Sequence, residues 1–130
     1  MVKNEFIRWK LPAIIWASII LALTSYPKLS VPDLGFDAMD KLAHFGVYFI
    51  LAFLVTRALV RDKIKINNKI FNKSFLINNG FALFDEVHQI PIPGRVGDIL
   101  DLSADILGIL FALVAFKLLH FLLNSRKVAE

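Results

Sequence analysis

Four apolar stretches separated by short polar segments constrain the fold of this chain more than any other feature. They cover about residues 9–26, 42–60, 71–90 and 99–123. A helix needs roughly 20 mostly apolar residues to cross a bilayer, because its backbone must satisfy its own hydrogen bonds there. The sequence therefore predicts an all-α fold, a four-transmembrane-helix antiparallel bundle that forms a single domain over residues 1–130.

Composition agrees with a membrane protein and excludes several other classes. Hydrophobic residues make up 57% of the chain and twelve residues are phenylalanine, more apolar surface than a soluble fold of this length could bury. Cysteine is absent, which removes disulfides, thiolate metal sites and cysteine nucleophiles. The net charge of +4 does not indicate nucleic acid, because the sequence contains no water-soluble module with a basic face.

The first stretch follows a basic segment, as a secretory signal does, and the third is rich in polar residues. The first follows Lys3, Arg8 and Lys10 and by itself is similar to a secretory signal, but no small-residue cleavage site follows it and three more apolar segments come after. The third contains Asp85 and Glu86 among other polar residues. We expect it to cross nevertheless, because otherwise the basic run 57–73 would have no partner span to hold it at one surface.

The distribution of lysine and arginine predicts the orientation. With the amino terminus inside, the inner side carries twelve basic and three acidic residues, and the outer side three basic and eight acidic residues. Cytoplasmic loops concentrate lysine and arginine, so both termini are predicted to be cytoplasmic. The protein is then a multi-pass membrane protein. The lipid bilayer is its first expected partner, and its basic inner loop should attract anionic headgroups.

Polar residues concentrate at the start of the second span, the end of the third and the start of the fourth. Because successive spans run in opposite directions, these three helix ends must lie at the same face of the membrane. We predict a functional pocket there, formed by the following side chains: Asp40, His44, Tyr48, Glu86, Gln89, Arg95, Asp98, Asp101 and Asp105.

Helical spacing supports this pocket. Asp40, His44 and Tyr48 recur at four-residue intervals and share one face. The face of Asp98, Asp101 and Asp105 continues to Gly108 and Ala112, a pair of small residues that lets a neighbouring helix approach closely. Arg95 is the one arginine on the outer side, and its proline- and glycine-rich loop is predicted to fold the guanidinium over Glu86 or Asp101.

These motifs resemble those of the VanZ-like family of small bacterial membrane proteins. The resemblance runs from about Asp40 to Ala112, through Asp-Lys-x-x-His-x-x-x-Tyr, Glu-x-x-Gln and Pro-Gly-Arg-x-x-Asp-x-x-Asp. It points to His44, Glu86, Gln89, Arg95, Asp101 and the Asp105 position as the shared residues. The family usually has asparagine where this chain has Asp105 and a second glycine where it has Ala112.

The resemblance implies a functional class without a defined chemistry. The founding member is associated with low-level resistance to the glycopeptide teicoplanin, and the biochemical activity of most members is unassigned. We therefore expect this chain to bind or handle an amphipathic or glycopeptide-like molecule of the cell envelope. The oligomeric state stays open.

Three alternatives stay open. An enzyme would act on a lipid-linked envelope substrate with His44 or Glu86 as general base and Arg95 on a phosphate, although no serine or cysteine nucleophile lies beside a base. No cofactor is predicted, but a divalent cation could bind among His44, Glu86, His88, Asp101 and Asp105. In a purely structural partner protein, the charges would hold helix ends together, with Asp40 and Asp98 as helix N-caps.

Overall fold

The computed structural model describes residues 2–27, 37–61, 63 and 66–128 and folds them as helices, with no strand in these ranges. Of the residues counted for the charge distribution, Lys28, Asp33, Asp62, Lys65 and Glu130 lie outside the described residues. Helix α1 comprises three consecutive segments, Val2–Glu5, Phe6–Lys10 (π-helical) and Leu11–Thr24. Helix α2 is Asp37–Val60, α3 is Asn68–Gln89 and α4 is Ile99–Val128. The predicted all-α fold is confirmed.

Three of these helices contain described segments long and apolar enough to cross a membrane. The segments are Phe6–Thr24, Ala38–Val60 and Ile99–Ser125. The remaining helix, α3, carries polar residues along one face, and that face is buried against the other helices: Ser74, Asn78, Asp85, Glu86 and Gln89. Its opposite face exposes Leu76, Leu83 and Phe84. The low hydropathy of α3 thus comes in part from side chains that face protein and in part from the exposed residues Lys69 and Lys73 near its start, and its role as a fourth span stays a prediction.

Helices α2 and α4 form the most extensive contact in the bundle. Gly108 makes it possible, because a Cβ at this position would overlap the carbonyl oxygen of Phe45 and lie 3.1 Å from the backbone nitrogen of Phe49. Ala112, one turn further along, is fully buried. The small-residue seam predicted from the sequence is therefore the point of closest approach between two backbones.

Aromatic rings and a buried polar pair fill the rest of the interior. Phe53 of α2 packs edge-on against Phe116 of α4, with ring centroids 5.1 Å apart. Between α2 and α3, the hydroxyls of Thr56 and Ser74 form a hydrogen bond of 2.7 Å, and both are completely buried. Interhelical hydrogen bonds of this kind stabilise membrane bundles by roughly 0.6–2 kcal/mol.

Cationic residues gather at the end of the bundle where α1 begins and α2 ends. The guanidinium groups of Arg8 and Arg57 each lie 4.7 Å from the ring of Trp9, and Arg57 donates to the backbone carbonyl of Arg8 at 3.0 Å. Arg61 lies 3.9 Å from the carboxylate of Glu5. We call Arg8, Arg57 and Arg61 the basic end. The carboxylates at the start of α2, the end of α3 and the start of α4 lie at the other end of the bundle.

Candidate functional site

The polar side chains at the ends of α2, α3 and α4 meet at one end of the bundle, as the helical spacing predicts. Most are buried, although an ionised group is costly to hold away from water unless it is paired. We call the following side chains the polar cluster: Lys41, His44, Tyr48, Asp85, Glu86, Gln89, Asp98, Asp101 and Asp105. Because most of these side chains are buried, each ionised group among them needs a partner.

The imidazole of His44 lies between two carboxylates of α4. Its Nδ1 is 2.9 Å from Oδ1 of Asp105, and its Nε2 is 3.8 Å from Oδ2 of Asp101. Asp105 is 1% exposed and His44 9% exposed, so water competes little for the shorter bond. A carboxylate at this distance fixes the orientation of the ring, which suits the imidazole to hold or transfer a proton.

Lys41 is the cation that neutralises this part of the cluster. Its Nζ donates to Oδ2 of Asp98 at 2.8 Å and also to Asp101, and it lies 3.9 Å from Asp40. The hydrogen bond from Lys41, together with one from the backbone N–H of Leu100, holds the pKa of Asp98 below its usual value. The sequence places Lys41 in the Asp-Lys-x-x-His motif, but it was not among the predicted pocket residues, and this pairing was missed. The signal was its position three residues before His44, which places both on one helix face.

Asp85 connects three helices and was also missed. It accepts a hydrogen bond of 2.9 Å from the phenol of Tyr48 on α2 and one of 2.6 Å from the hydroxyl of Thr24 on α1. It is 1% exposed. The sequence offered no means to choose between Asp85 and its neighbour Glu86, and Thr24 belongs to a span to which no site was assigned.

Glu86 and Asp98 fix the start of α4. The backbone N–H of Asp98 donates to Oε1 of Glu86 at 2.5 Å, while Oδ1 of Asp98 accepts from the N–H of Leu100 at 2.8 Å. Asp98 thus caps α4, as predicted. The corresponding prediction for Asp40 is wrong, because α2 already begins at Asp37 and Asp40 lies within the helix.

Arg95 binds a different partner from the one predicted. Its Nε donates to the carbonyl of Tyr26 at 3.3 Å and its Nη2 to the carbonyl of Leu23 at 3.2 Å. The ion pairs among described residues do not include Arg95 with Glu86 or Asp101, so that prediction is wrong. Lys41 pairs with Asp98 and Asp101 instead, and the guanidinium binds backbone carbonyls at the end of α1.

Two cavities adjoin the polar cluster. One of about 140 Å³ lies beside α1 and is lined in part by Thr24, His44, Tyr48, Asp85 and Arg95. The other, of about 310 Å³, is lined by Asp40, Lys41, Gln89, Gly94, Arg95, Val96, Gly97, Asp98 and Asp101. Gln89 is 3% exposed, and its Nε2 has no hydrogen-bond partner among the described residues. The larger cavity therefore combines two cations, three carboxylates and an unsatisfied amide donor.

A metal ion would have to compete with a cation already present. Asp40, His44 and Asp101 can each offer one ligand atom within 4.8 Å of the others. Lys41 donates to Asp101, so a divalent ion would have to displace its ammonium. His88 is not part of this group, since its Nε2 is 2.8 Å from the hydroxyl of Ser25. The structure thus brings together only part of the ligand set considered from the sequence.

The chain matches a known protein family. The model of a family described as VanZ/LLP1 matches residues 4–120. No curated protein and no solved structure matches the chain. The matched segment contains all four helices up to His120 and every residue of the polar cluster.

Proposed function

The chain belongs to the VanZ/LLP1 family, and from that premise we propose that it binds an amphipathic molecule of the cell envelope through the polar cluster. It does so as a four-span protein of the bacterial cytoplasmic membrane, with both termini in the cytoplasm and the cluster at the outer surface. By the resemblance to the family's founding member, a glycopeptide-like compound or an envelope lipid is the expected ligand. The lipid bilayer itself supplies the apolar surroundings for the ligand's hydrophobic part.

The observation that carries this proposal is the unsatisfied amide of Gln89 beside the larger cavity. A buried donor without a partner costs about 1–3 kcal/mol, and an acceptor oxygen on a ligand would remove that cost. Arg95 lines the same cavity and is in none of the ion pairs of the described residues, so its guanidinium favours an acceptor with negative charge, such as a carboxylate or phosphate. Lys41 is already paired with Asp98 and Asp101. The exposed apolar side chains Val96 and Ile99, close by in sequence, suit an amphipathic ligand.

The charge distribution supports the proposed orientation. Arg8, Arg57 and Arg61 gather at the basic end, and the carboxylates of the polar cluster gather at the opposite end. Basic residues concentrate on the cytoplasmic side of membrane proteins, so the basic end is assigned to the cytoplasm. The polar face of α3 is covered by α1, α2 and α4, which makes this helix suitable as the fourth span.

Cysteine labelling tests this topology directly, because the native chain contains no cysteine. We expect Val96→Cys to react with a membrane-impermeant maleimide in intact spheroplasts, and Asn68→Cys to react only after the membrane is permeabilised. Both side chains are exposed, so neither result depends on burial. Labelling of both positions from the same side would show that α3 does not cross.

A second experiment tests the site. Gln89→Leu should remove the amide donor and weaken binding about tenfold, the equivalent of one hydrogen bond of ~1.4 kcal/mol. We expect cells carrying this variant to become as sensitive to glycopeptides and other envelope-directed compounds as cells without the protein. Asn79→Leu is the matched control, since among the described residues the Asn79 amide donates only within its own helix, to the backbone carbonyl of Phe75 at 2.8 Å. Wild-type sensitivity for Gln89→Leu at equal expression would exclude the proposed role of the cavity.

Membrane-embedded hydrolysis is the second candidate function, and the pair of His44 and Asp105 favours it. An imidazole held by a carboxylate at 2.9 Å has the arrangement of a general base. An enzyme should lose turnover on His44→Ala while it keeps ligand affinity. A binding protein should instead lose affinity on Gln89→Leu and show no turnover in either form.

A further inference from the structure

Lys117 is a cation on the apolar helix α4 and has no carboxylate partner among the described residues. It lies within the membrane-spanning segment Ile99–Ser125. Its ammonium is 5.8 Å from the centre of the Phe71 ring, and it belongs to none of the ion pairs of the described residues. A charge at such a position is costly unless it reaches the interface or finds an anion.

A groove of about 540 Å³ lies next to this lysine, between the start of α3 and the end of α4. Its apolar lining residues are Ile66, Phe71 and Phe121, and its polar lining residues are Asn68, Lys117, His120, Asn124 and Ser125. The groove is therefore amphipathic. It is at the end of α4 remote from the polar cluster, so it is distinct from the site proposed above.

We propose that this groove binds an anionic phospholipid of the adjacent leaflet, with the phosphate beside Lys117. Charge complementarity supports an anion, since Lys69 and Lys73 lie on the first turns of α3 and Glu5, an acid at the same end of the bundle, is paired with Arg61. The partial positive charge at the start of α3, where Asn68 lines the groove, has the same sign. The amide nitrogen of Asn124, 2.7 Å from Nε2 of His120, has a second N–H that can donate to the headgroup, whereas the hydroxyl of Ser125 donates to the carbonyl of Phe121.

The apolar wall indicates a lipid and not a free anion. Phe121 lines the groove and is 66% exposed, and it continues into the exposed side chains Leu118 and Leu122 on the same helix. Acyl chains can lie along this surface without leaving the hydrocarbon region. Inorganic phosphate would gain nothing from these residues.

Native mass spectrometry of the delipidated full chain in detergent tests the proposal. The probes are dioleoyl phosphatidylglycerol and dioleoyl phosphatidylcholine, which carry the same acyl chains on an anionic and a zwitterionic headgroup. We expect the first bound molecule of phosphatidylglycerol to bind about fivefold more tightly than the first molecule of phosphatidylcholine, since one lysine near an anionic headgroup contributes ~1 kcal/mol. Lys117→Gln should remove this preference, while Lys117→Arg should retain it, and so should the control Lys10→Gln, an exposed lysine of α1 that does not line the groove.

Other outcomes would overturn the proposal. Equal binding of the two lipids by the wild type, or a full preference in Lys117→Gln, would show that Lys117 does not bind the headgroup. Displacement of the lipid by millimolar inorganic phosphate would show a site for free anions. If Lys117→Gln cannot be purified, Ser125→Leu, at an exposed lining position, should lower the occupancy of phosphatidylglycerol by filling the groove, and unchanged occupancy would equally overturn the proposal.

Discussion

Replacing Gly108 with alanine is expected to lower the free energy of unfolding by about 3 kcal/mol, near the upper end of the usual cost of overpacking. The added Cβ would overlap the carbonyl oxygen of Phe45 and lie 3.1 Å from its carbonyl carbon. Both atoms belong to the backbone of α2, so no rotation of a side chain can relieve the overlap. Helices α2 and α4 must move apart along their most extensive contact.

Gly80→Ala and Gly46→Ala are the matched controls. A Cβ at either position meets no atom within 4 Å, and alanine has a higher helix propensity than glycine. Both controls should therefore be at least as stable as the wild type. The measurement is thermal unfolding of the three purified variants in the same detergent. Equal stability of Gly108→Ala and the controls would mean that the close approach of α2 and α4 does not hold the bundle together.

The sequence predicted a close approach of a neighbouring helix at Gly108 and Ala112 because two small residues at four-residue spacing leave room for another backbone. It also predicted the all-α fold from four apolar stretches and the family from the motifs of the polar residues, and both are confirmed. Element bounds were less accurate. Helix α2 begins at Asp37 because the polar residues before the predicted start at position 42 continue the helix and place Lys41 against α4.

The pairing of side chains within the site could not be predicted from helical spacing. Helical spacing shows that His44, Asp101 and Asp105 share a region, but it does not fix the relative rotation of two helices. That rotation decides whether Lys41 or Arg95 reaches the carboxylates of α4. In the structure Lys41 is on the face toward α4, and Arg95, in the preceding loop, reaches the carbonyls at the end of α1.

The polar cluster also explains how α3 can lie among apolar helices. Each of its buried carboxylates has a partner on another element: Asp85 on α1 and α2, and Glu86 on the backbone at the start of α4. These bonds exist in only one rotation of α3. A single polar face can thus define the position of a helix whose average hydropathy does not mark it as a span.

Asp85→Leu should test this role of the buried carboxylate most strongly. The substitution leaves the hydroxyls of Tyr48 and Thr24 without the acceptor that they now share, and each buried hydroxyl so orphaned costs ~1–3 kcal/mol. Thr24 also bonds to the carbonyl of Ile20 at 3.0 Å, so most of the cost should come from Tyr48. We expect a total loss of about 3 kcal/mol in the free energy of unfolding.

Two further variants separate this mechanism from a general loss of packing. Asp85→Asn keeps an acceptor oxygen in place and should lose less stability than Asp85→Leu. Tyr48→Phe removes the orphaned phenol, so adding it to Asp85→Leu should recover part of the lost stability, although Tyr48→Phe alone destabilises the protein. Chemical unfolding of the four variants in mixed micelles gives the coupling energy. If the two losses simply add, the phenol and the carboxylate do not depend on each other, and Asp85 does not fix α3 in the way its hydrogen bonds indicate.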